Sequence, residues 1–404
     1  MRVIEKHNRL PFILVTSMFM LWGLANNMTD TLLAAFRRIM YMSDTQTSFI
    51  QMAFYGAYFC IALPAALFIR KHSYKSGVIL GLCLYAAGAI LFLPAAWSAS
   101  YSFYLVAIYI LAAGCTVLET ASNPYIMSMG SPETATRRLN IAQSFNPLGS
   151  ILGILISKFF ILRDISLYSV SGTYAIVGGA LIAIMIVMLF AHMPEGKDTQ
   201  VQDSVQATIK RLLKNRCYTM GVIAQFFYVG AQIGVWSFTI RLVMKELDMA
   251  ESQAASVYLT SIIGFCISRF IYTWLMKYVT PQRLLVFGSL LSLISTLLVV
   301  FSHGYLAIVS LVLISIFMSL MFPTIYGLAL EEVENSSRGC FSGDAKIGAS
   351  GLIMAILGGA LITPVQGMIS DSASINTSYL VPAVCFVVVL LYAVLNSFMV
   401  YSEK

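Results

Sequence analysis

The chain has 404 residues, of which 59% are hydrophobic and only 11% charged, with a formal net charge of +7. Soluble domains carry roughly 25% charged residues, so this composition excludes a soluble fold and places the chain among membrane proteins. The basic excess is not a nucleic-acid footprint, because its distribution follows membrane topology.

Twelve apolar segments are each long enough to cross a hydrocarbon core of about 30 Å. They run approximately over 10–36, 46–69, 76–97, 102–129, 137–162, 171–193, 217–243, 252–276, 281–302, 304–330, 345–369 and 375–401. Barrel strands would be half as long and alternating, so the spans are read as helices. The one long polar stretch begins at Met193-Pro-Glu-Gly and divides the spans six and six. The expected fold is an all-α membrane protein with twelve transmembrane helices in two pseudo-symmetric six-helix bundles. Residues 1–193 form the N-terminal bundle, 194–213 a cytoplasmic linker and 214–404 the C-terminal bundle. With both termini inside, eighteen Lys and Arg residues lie on the cytoplasmic side and six on the other, which sets the orientation. The remaining cation, Arg269, lies deep in span eight. Six cysteines fall within spans and Cys340 near a cytoplasmic end; all are read as small apolar fillers. The first span starts at once and is too long for a signal-peptide core, so no cleavable leader is expected.

Span one stops behaving like a plain apolar helix at Leu21-Trp-Gly-Leu-Ala-Asn-Asn-Met-Thr-Asp30. At about 100° per residue, Asn26, Asn27 and Asp30 share one face. A carboxylate in hydrocarbon costs about 2.5–3.5 kcal/mol on insertion scales, so Asp30 should face water or a partner. Span four holds Glu119 and Asn123 one turn apart, followed by Pro124, which is expected to kink the helix. Span five contains Gln143 and Asn146 at i, i+3, again on one face. In span seven, Gln225, Tyr228, Gln232 and Trp236 place amides and aromatics on neighbouring turns. Span ten repeats a proline in Met321-Phe-Pro-Thr-Ile-Tyr326 but has no carboxylate there, so the ionisable chemistry belongs to the first half. The five glycines of span eleven, from Gly348 to Gly367, are read as a packing and hinge surface.

Inward-facing amides and aromatic rings suit a neutral polyhydroxylated ligand: amides match hydroxyls, and rings cover the apolar faces of a pyranose. A dianionic substrate would need several buried cations, and Arg269 alone is deep. Gln143, Asn146, Gln232 and Trp236 are open to ligand contact or to interhelical packing. Two membrane carboxylates without matched cations suggest proton carriage, since a carboxyl held away from water can load and release protons; a Na⁺ site is the competing use. Arg269 reads as a structural or gating cation rather than a sugar contact. All four histidines fall at span ends, so neither a histidine relay nor a metal site is expected. No Gly-x4-Gly-Lys-Ser/Thr loop, His-Glu-x-x-His or Gly-x-Ser-x-Gly occurs, so neither ATP-driven pumping nor an enzyme is expected.

Trp22-Gly-Leu-Ala-Asn-Asn-Met-Thr-Asp30, Leu118-Glu-Thr-Ala-Ser-Asn-Pro124, Ala142-Gln-Ser-Phe-Asn146, the span-seven run from Ala224 to Gln232 and Met321-Phe-Pro-Thr-Ile325 together resemble the fucose:proton symporter family. The likeness covers nearly the whole chain. It implies a bacterial inner-membrane major facilitator carrier, six spans plus six around a cytoplasmic linker. Its substrate would be a monosaccharide, L-fucose or a related hexose. Carried over by position, Asp30 would couple protons, Glu119 would be a second carboxylate near the sugar, and Asn27, Gln143 and Asn146 would line the sugar site. Two departures stand out. The loop around Arg163–Gly172 looks shorter than the family's, and an acidic patch, Glu331, Glu332 and Glu334, lies between spans ten and eleven. Relatives include carriers of glucose and galactose, of N-acetylglucosamine, and Na⁺-coupled glucose carriers.

The expected partners are a monosaccharide and the bilayer, not nucleic acid. No cofactor is expected beyond the coupling ion, and the chain is expected to work as a monomer. A sensor or scaffold on the same fold would call for a larger appended domain, and a passive facilitator would need no buried carboxylates. Depth separates the two acids. Asp30 follows about 19 residues of span one, which at 1.5 Å per residue puts it in the outer half of the membrane. Glu119 follows about 17 residues of a span entered from outside and should lie at or below the midplane.

Overall fold

The computed structural model describes residues 4, 8–39, 44–161, 166–191, 193, 204–336 and 343–402. The side chains of Asn26 and Asp30, the linker residues 194–203, Glu334 and Cys340 lie outside the described part, and so do the expectations placed on them. Among the described residues there are eighteen α-helices and no strand. They are α1 (Arg9–Ile39), α2 (Asp44–Lys71), α3 (Tyr74–Ile90), α4 (Phe92–Ser98), α5 (Tyr101–Ser128), α6 (Ala135–Gln143), α7 (Asn146–Ile156), α8 (Leu167–Phe190) and α9 (Val205–Lys214). There follow α10 (Arg216–Leu247), α11 (Glu251–Leu275), α12 (Pro281–Phe301), α13 (Gly304–Met318), α14 (Met321–Ser336), α15 (Gly343–Met354), α16 (Gly358–Ser372), α17 (Ile375–Ser378) and α18 (Leu380–Ser402). Eleven helical stretches of the described residues are long and apolar enough to cross a membrane, and α1 contributes a further, shorter apolar helix, Arg9–Ala25.

Spans three and twelve are interrupted at single residues, Leu91 and Tyr379, and spans five, ten and eleven are interrupted as well. Span five breaks between α6 and α7 and then widens into a π-turn over Ser157–Ile161. Span ten breaks between α13 and α14, and span eleven passes through a 3₁₀ turn at Ala355–Leu357. The break in span five corrects the expectation that Gln143 and Asn146 share one face of a continuous helix. Its cause is Pro147: without an N–H it cannot bond the Gln143 carbonyl four residues back. Pro323 acts in the same way on the Ser319 carbonyl. Pro124, by contrast, lies inside an unbroken α5.

The chain forms two compact units. The first contains Met1–Pro132, Phe145–Ile209 and Glu334–Met354, and the second Glu133–Ser144, Lys210–Val333 and Ala355–Lys404. Two of the changeovers, at Ser144 and Met354, fall where spans five and eleven are interrupted. Span five is six spans from span eleven, so the exchange obeys the internal repeat.

In the first unit α5 packs on α3 and α2, and α1 on α7. The α1–α7 contact is made backbone to backbone. A Cβ on Gly149 would stand 1.8 Å from the Met20 carbonyl oxygen, and one on Gly23 would stand 2.1 Å from the Asn146 carbonyl oxygen. In the second unit α10 meets α16 by the same means: a Cβ on Gly358 would lie 2.0 Å from the Phe226 carbonyl oxygen. Small residues at such crossings let helices gain van der Waals contact that lipid cannot supply. Two of the cysteine expectations need correcting. Cys115, Cys217, Cys266 and Cys385 are buried fillers, but Cys60 and Cys83 are exposed. Both faces of an apolar helix suit a thiol when its surroundings are apolar.

Candidate functional site

In the first unit, every α5 residue from Leu111 to Met127 is buried, Glu119 and Asn123 among them. Neither carboxylate oxygen of Glu119 has a hydrogen-bond partner of good geometry in the structure. Among the described residues, the polar groups that bear on it are the Asn123 amide one turn on, the Cys115 thiol one turn back and the Tyr58 hydroxyl from α2. No cation is among them. Tyr58 is fully buried, and its hydroxyl accepts from Trp22 Nε1 on α1. A buried polar group without a partner is costly, and the cost is removed by a proton, an ion or a ligand hydroxyl.

The same α1 carries Asn27, whose Nδ2 donates to the Gly23 carbonyl at 3.2 Å. Across the glycine crossing, Asn146 Nδ2 donates to the Phe19 carbonyl at 3.2 Å. Helix α1 therefore links Asn27, Asn146 and, through Trp22 and Tyr58, the surroundings of Glu119.

In the second unit, Gln225 is fully buried and both ends of its amide lack partners. Tyr326 is fully buried as well. Trp236 is half-buried, with Nε1 donating to Ser315 Oγ at 3.3 Å and its ring edge-on to Phe265 at 5.0 Å. The Tyr228 hydroxyl donates to the Met318 carbonyl at 3.1 Å, and the Phe322 peptide N–H bears on the same hydroxyl. Tyr228 is thus inserted into the ladder of span ten at its break. Arg269 reaches the same break. Its Nε donates to the Ser319 carbonyl at 2.7 Å and its Nη1 to the Gln143 carbonyl at 3.0 Å. Gln232 is half-buried on α10.

Comparison with known proteins identifies the family and the fold. The Major Facilitator Superfamily pattern covers residues 12–356. An L-fucose-proton symporter of Haemophilus influenzae is 39% identical over 425 residues, covering 97% of each chain. A glucose/galactose transporter of Brucella abortus is 30% identical, covering 95% of this chain and 93% of its own. The crystal structure of the transporter FucP in its outward conformation superposes with a TM-score of 0.87 at 34% identity, covering 96% of this chain and 99% of that one. The chain belongs to the fucose–proton symporter family of the major facilitator superfamily.

The two units divide the expected residues into two groups. The first unit of this symporter relative brings Asn27, Glu119, Asn123 and Asn146 into the neighbourhood of α1. The second gathers Gln143, Tyr228 and Arg269 around the break of span ten and holds Trp236 against spans eight and ten. Gln143 and Asn146, neighbours in sequence, fall in different units. Several contributors were missed in the sequence. Tyr58 was passed over as one of many aromatics, although a hydroxyl in mid-span needs a partner. Gln366 on α16 is fully buried with both amide ends unpaired, and its Oε1 lies where a Cβ on Gly234 would come, at 2.3 Å. An amide in an otherwise apolar span was the available signal. Glu331 and Glu332, read as a loop patch, belong to α14 and are half-buried.

Proposed function

We propose that this transporter takes up a monosaccharide together with a proton by alternating access, with L-fucose as the first substrate to test. The observation that carries the reading is Glu119: a buried carboxylate with no hydrogen-bond partner of good geometry, set among an amide, a phenol and a thiol and with no cation beside it among the described residues. Such a group can carry a proton, and it can accept bonds from sugar hydroxyls. Asn123, Asn146 and Asn27 add amides in the first unit, and Gln143, Gln225, Tyr228, Gln232, Trp236 and Tyr326 supply the second unit's amides and rings. Asn26 and Asp30 complete the set from span one, with Asp30 as the coupling carboxylate and H⁺ rather than Na⁺ as the ion. The moving halves are residues 1–193 and 214–404, joined by the cytoplasmic linker 194–213. Large exposed apolar side chains such as Ile176, Phe190 and Phe301 suit a lipid surround, here the bacterial inner membrane with both termini inside. One chain makes a complete transporter.

The relatives named for L-fucose favour that sugar, and the relative named for glucose and galactose makes those hexoses the second choice. Uptake of labelled L-fucose, D-glucose and D-galactose into vesicles, with and without a proton gradient, tests the reading. Gradient-driven accumulation of one of them is expected. No accumulation of any sugar, or accumulation driven by Na⁺ alone, would overturn it.

A further inference from the structure

Within the second unit, helix α6 turns one polar face to α11 and α14. Thr136, Asn140 and Ser144 recur at i, i+4 and i+8, the spacing of a single helical stripe. The Thr136 peptide N–H and hydroxyl donate to Glu331 at 2.8 and 2.7 Å. Asn140 Nδ2 reaches Thr324 Oγ1 at 3.3 Å, and the Ser144 hydroxyl lies 3.3 Å from that of Thr273. At the end of this stripe sits Arg269, buried, its guanidinium 4.6 Å above the Phe265 ring centre.

No carboxylate pairs with Arg269 among the described residues. Its partners are instead the carbonyls of Gln143 and Ser319, and both lack a helical donor for one reason. The residue four places further on is proline in each case, Pro147 and Pro323. With any other residue there, the helix could satisfy its own carbonyl and the guanidinium would be redundant. The prolines keep both acceptors open, and the planar fork of arginine answers them together. A cation held by two dipoles is also easier to release than one held by a carboxylate, because charge–charge pairing is absent.

We propose that Arg269 is a positioning residue that fastens the start of span five to the break of span ten, and that the transport cycle opens and re-forms this fastening. The second clause rests on the transport reading above; the first does not.

The test is thiol labelling of Ser144→Cys, a near-isosteric change at a fully buried position beside the fastening. The full chain is used in membrane vesicles, with the unsubstituted chain labelled in parallel as background. Adding Arg269→Gln should raise the labelling rate about 10- to 150-fold, the range for losing one hydrogen bond to a charged group. Pro147→Ala, which restores the helical donor to the Gln143 carbonyl, should raise it as well. The double variant should label no faster than the faster single one, because both changes break the same link. Should Arg269→Gln fail to reach the membrane, Arg269→Lys and Pro147→Ala carry the same comparison. Unchanged labelling in these variants, or effects that multiply in the double variant, would overturn the fastening. Adding a sugar that the vesicles accumulate should raise labelling of Ser144→Cys with Arg269 intact. If accumulation is seen and labelling does not respond, the link to the cycle is wrong. If no sugar is accumulated, the transport reading fails, while the variant comparison still decides the fastening.

Discussion

The Glu331 carboxylate on α14 caps α6 at Thr136, accepting from the peptide N–H at 2.8 Å and from Oγ1 at 2.7 Å through a single oxygen, Oε1. It does so in the first turn of α6, where the helix leaves N–H groups without partners and favours a negative charge. The Arg138 guanidinium, fully buried in α6, bears on the same carboxylate. Close packing accompanies the cap: a Cβ on Gly327 would stand 2.5 Å from Thr136 Oγ1.

Glu331→Gln keeps the shape but removes the charge, and Thr136→Val removes the hydroxyl. Each should lower the unfolding free energy of the purified protein by about 1.5–3 kcal/mol, the range for a hydrogen bond to a charged group. The pair combined should cost clearly less than the sum, since both changes touch one contact. Thermal or denaturant unfolding in detergent measures this. Strictly additive losses would show that the two residues act independently.

The glycine crossings give a sharper contrast. Gly149→Ala forces a Cβ onto the Met20 carbonyl, which is backbone and cannot swing aside. Overpacking of this kind costs about 1–3 kcal/mol or more, and here it would separate α1 from α7. The expected result is a sharp fall in monodisperse protein. Gly172 and Gly179 on α8 have nothing within 4 Å of an added Cβ. Alanine there should be neutral or stabilising by up to about 1 kcal/mol, because glycine is a poor helix former. Equal yields for Gly149→Ala and Gly179→Ala would contradict the crossing.

These two contacts show where the sequence was readable. Span existence and helix type follow from apolar run length, a property of each segment alone, and the twelve segments were legible on that ground. Glu119 and Asn123 were legible because a carboxylate inside such a run has few uses. The breaks were not. Pro147 and Pro323 were visible, yet Pro124 and Pro64 lie within continuous helices. At the broken sites a donor is supplied from elsewhere, Arg269 at both freed carbonyls and Tyr228 at the neighbouring one. Such donors arrive from residues far away in the chain, so no local pattern announces them. Glu331 was misplaced for a similar reason: an acidic run reads as loop until a helix terminus is found beneath it.

Tyr58 and Trp22 offer a spectroscopic check. Tyr58→Phe removes the acceptor of the Trp22 indole N–H while leaving the ring in place. In a chain whose other three tryptophans are replaced by phenylalanine, the emission should move to shorter wavelength as the indole loses its polar partner. Stability should fall by about 0.5–1.5 kcal/mol, the net worth of a neutral hydrogen bond. An unmoved spectrum would mean that Trp22 and Tyr58 are not bonded in the membrane.

The two carboxylates should separate in function. Glu119 is buried on α5 with unpaired oxygens and Asn123 beside it, whereas Asp30 lies on α1 beyond Asn27. If Glu119 accepts from sugar hydroxyls, Glu119→Gln loses a charged acceptor worth about 1.5–3 kcal/mol, and affinity should fall about 10- to 150-fold. Asp30→Asn keeps size and hydrogen bonding but cannot carry a proton. Its sugar affinity should stay close to that of the unsubstituted chain, while accumulation against a gradient disappears and sugar exchange across the membrane continues. Binding calorimetry on both variants, with uptake and exchange measured in the same vesicles, decides the matter. Equal affinity losses in the two variants would show that both acids hold sugar. Undiminished affinity in Glu119→Gln would move the sugar away from α5, and full accumulation by Asp30→Asn would place the coupling proton on another group.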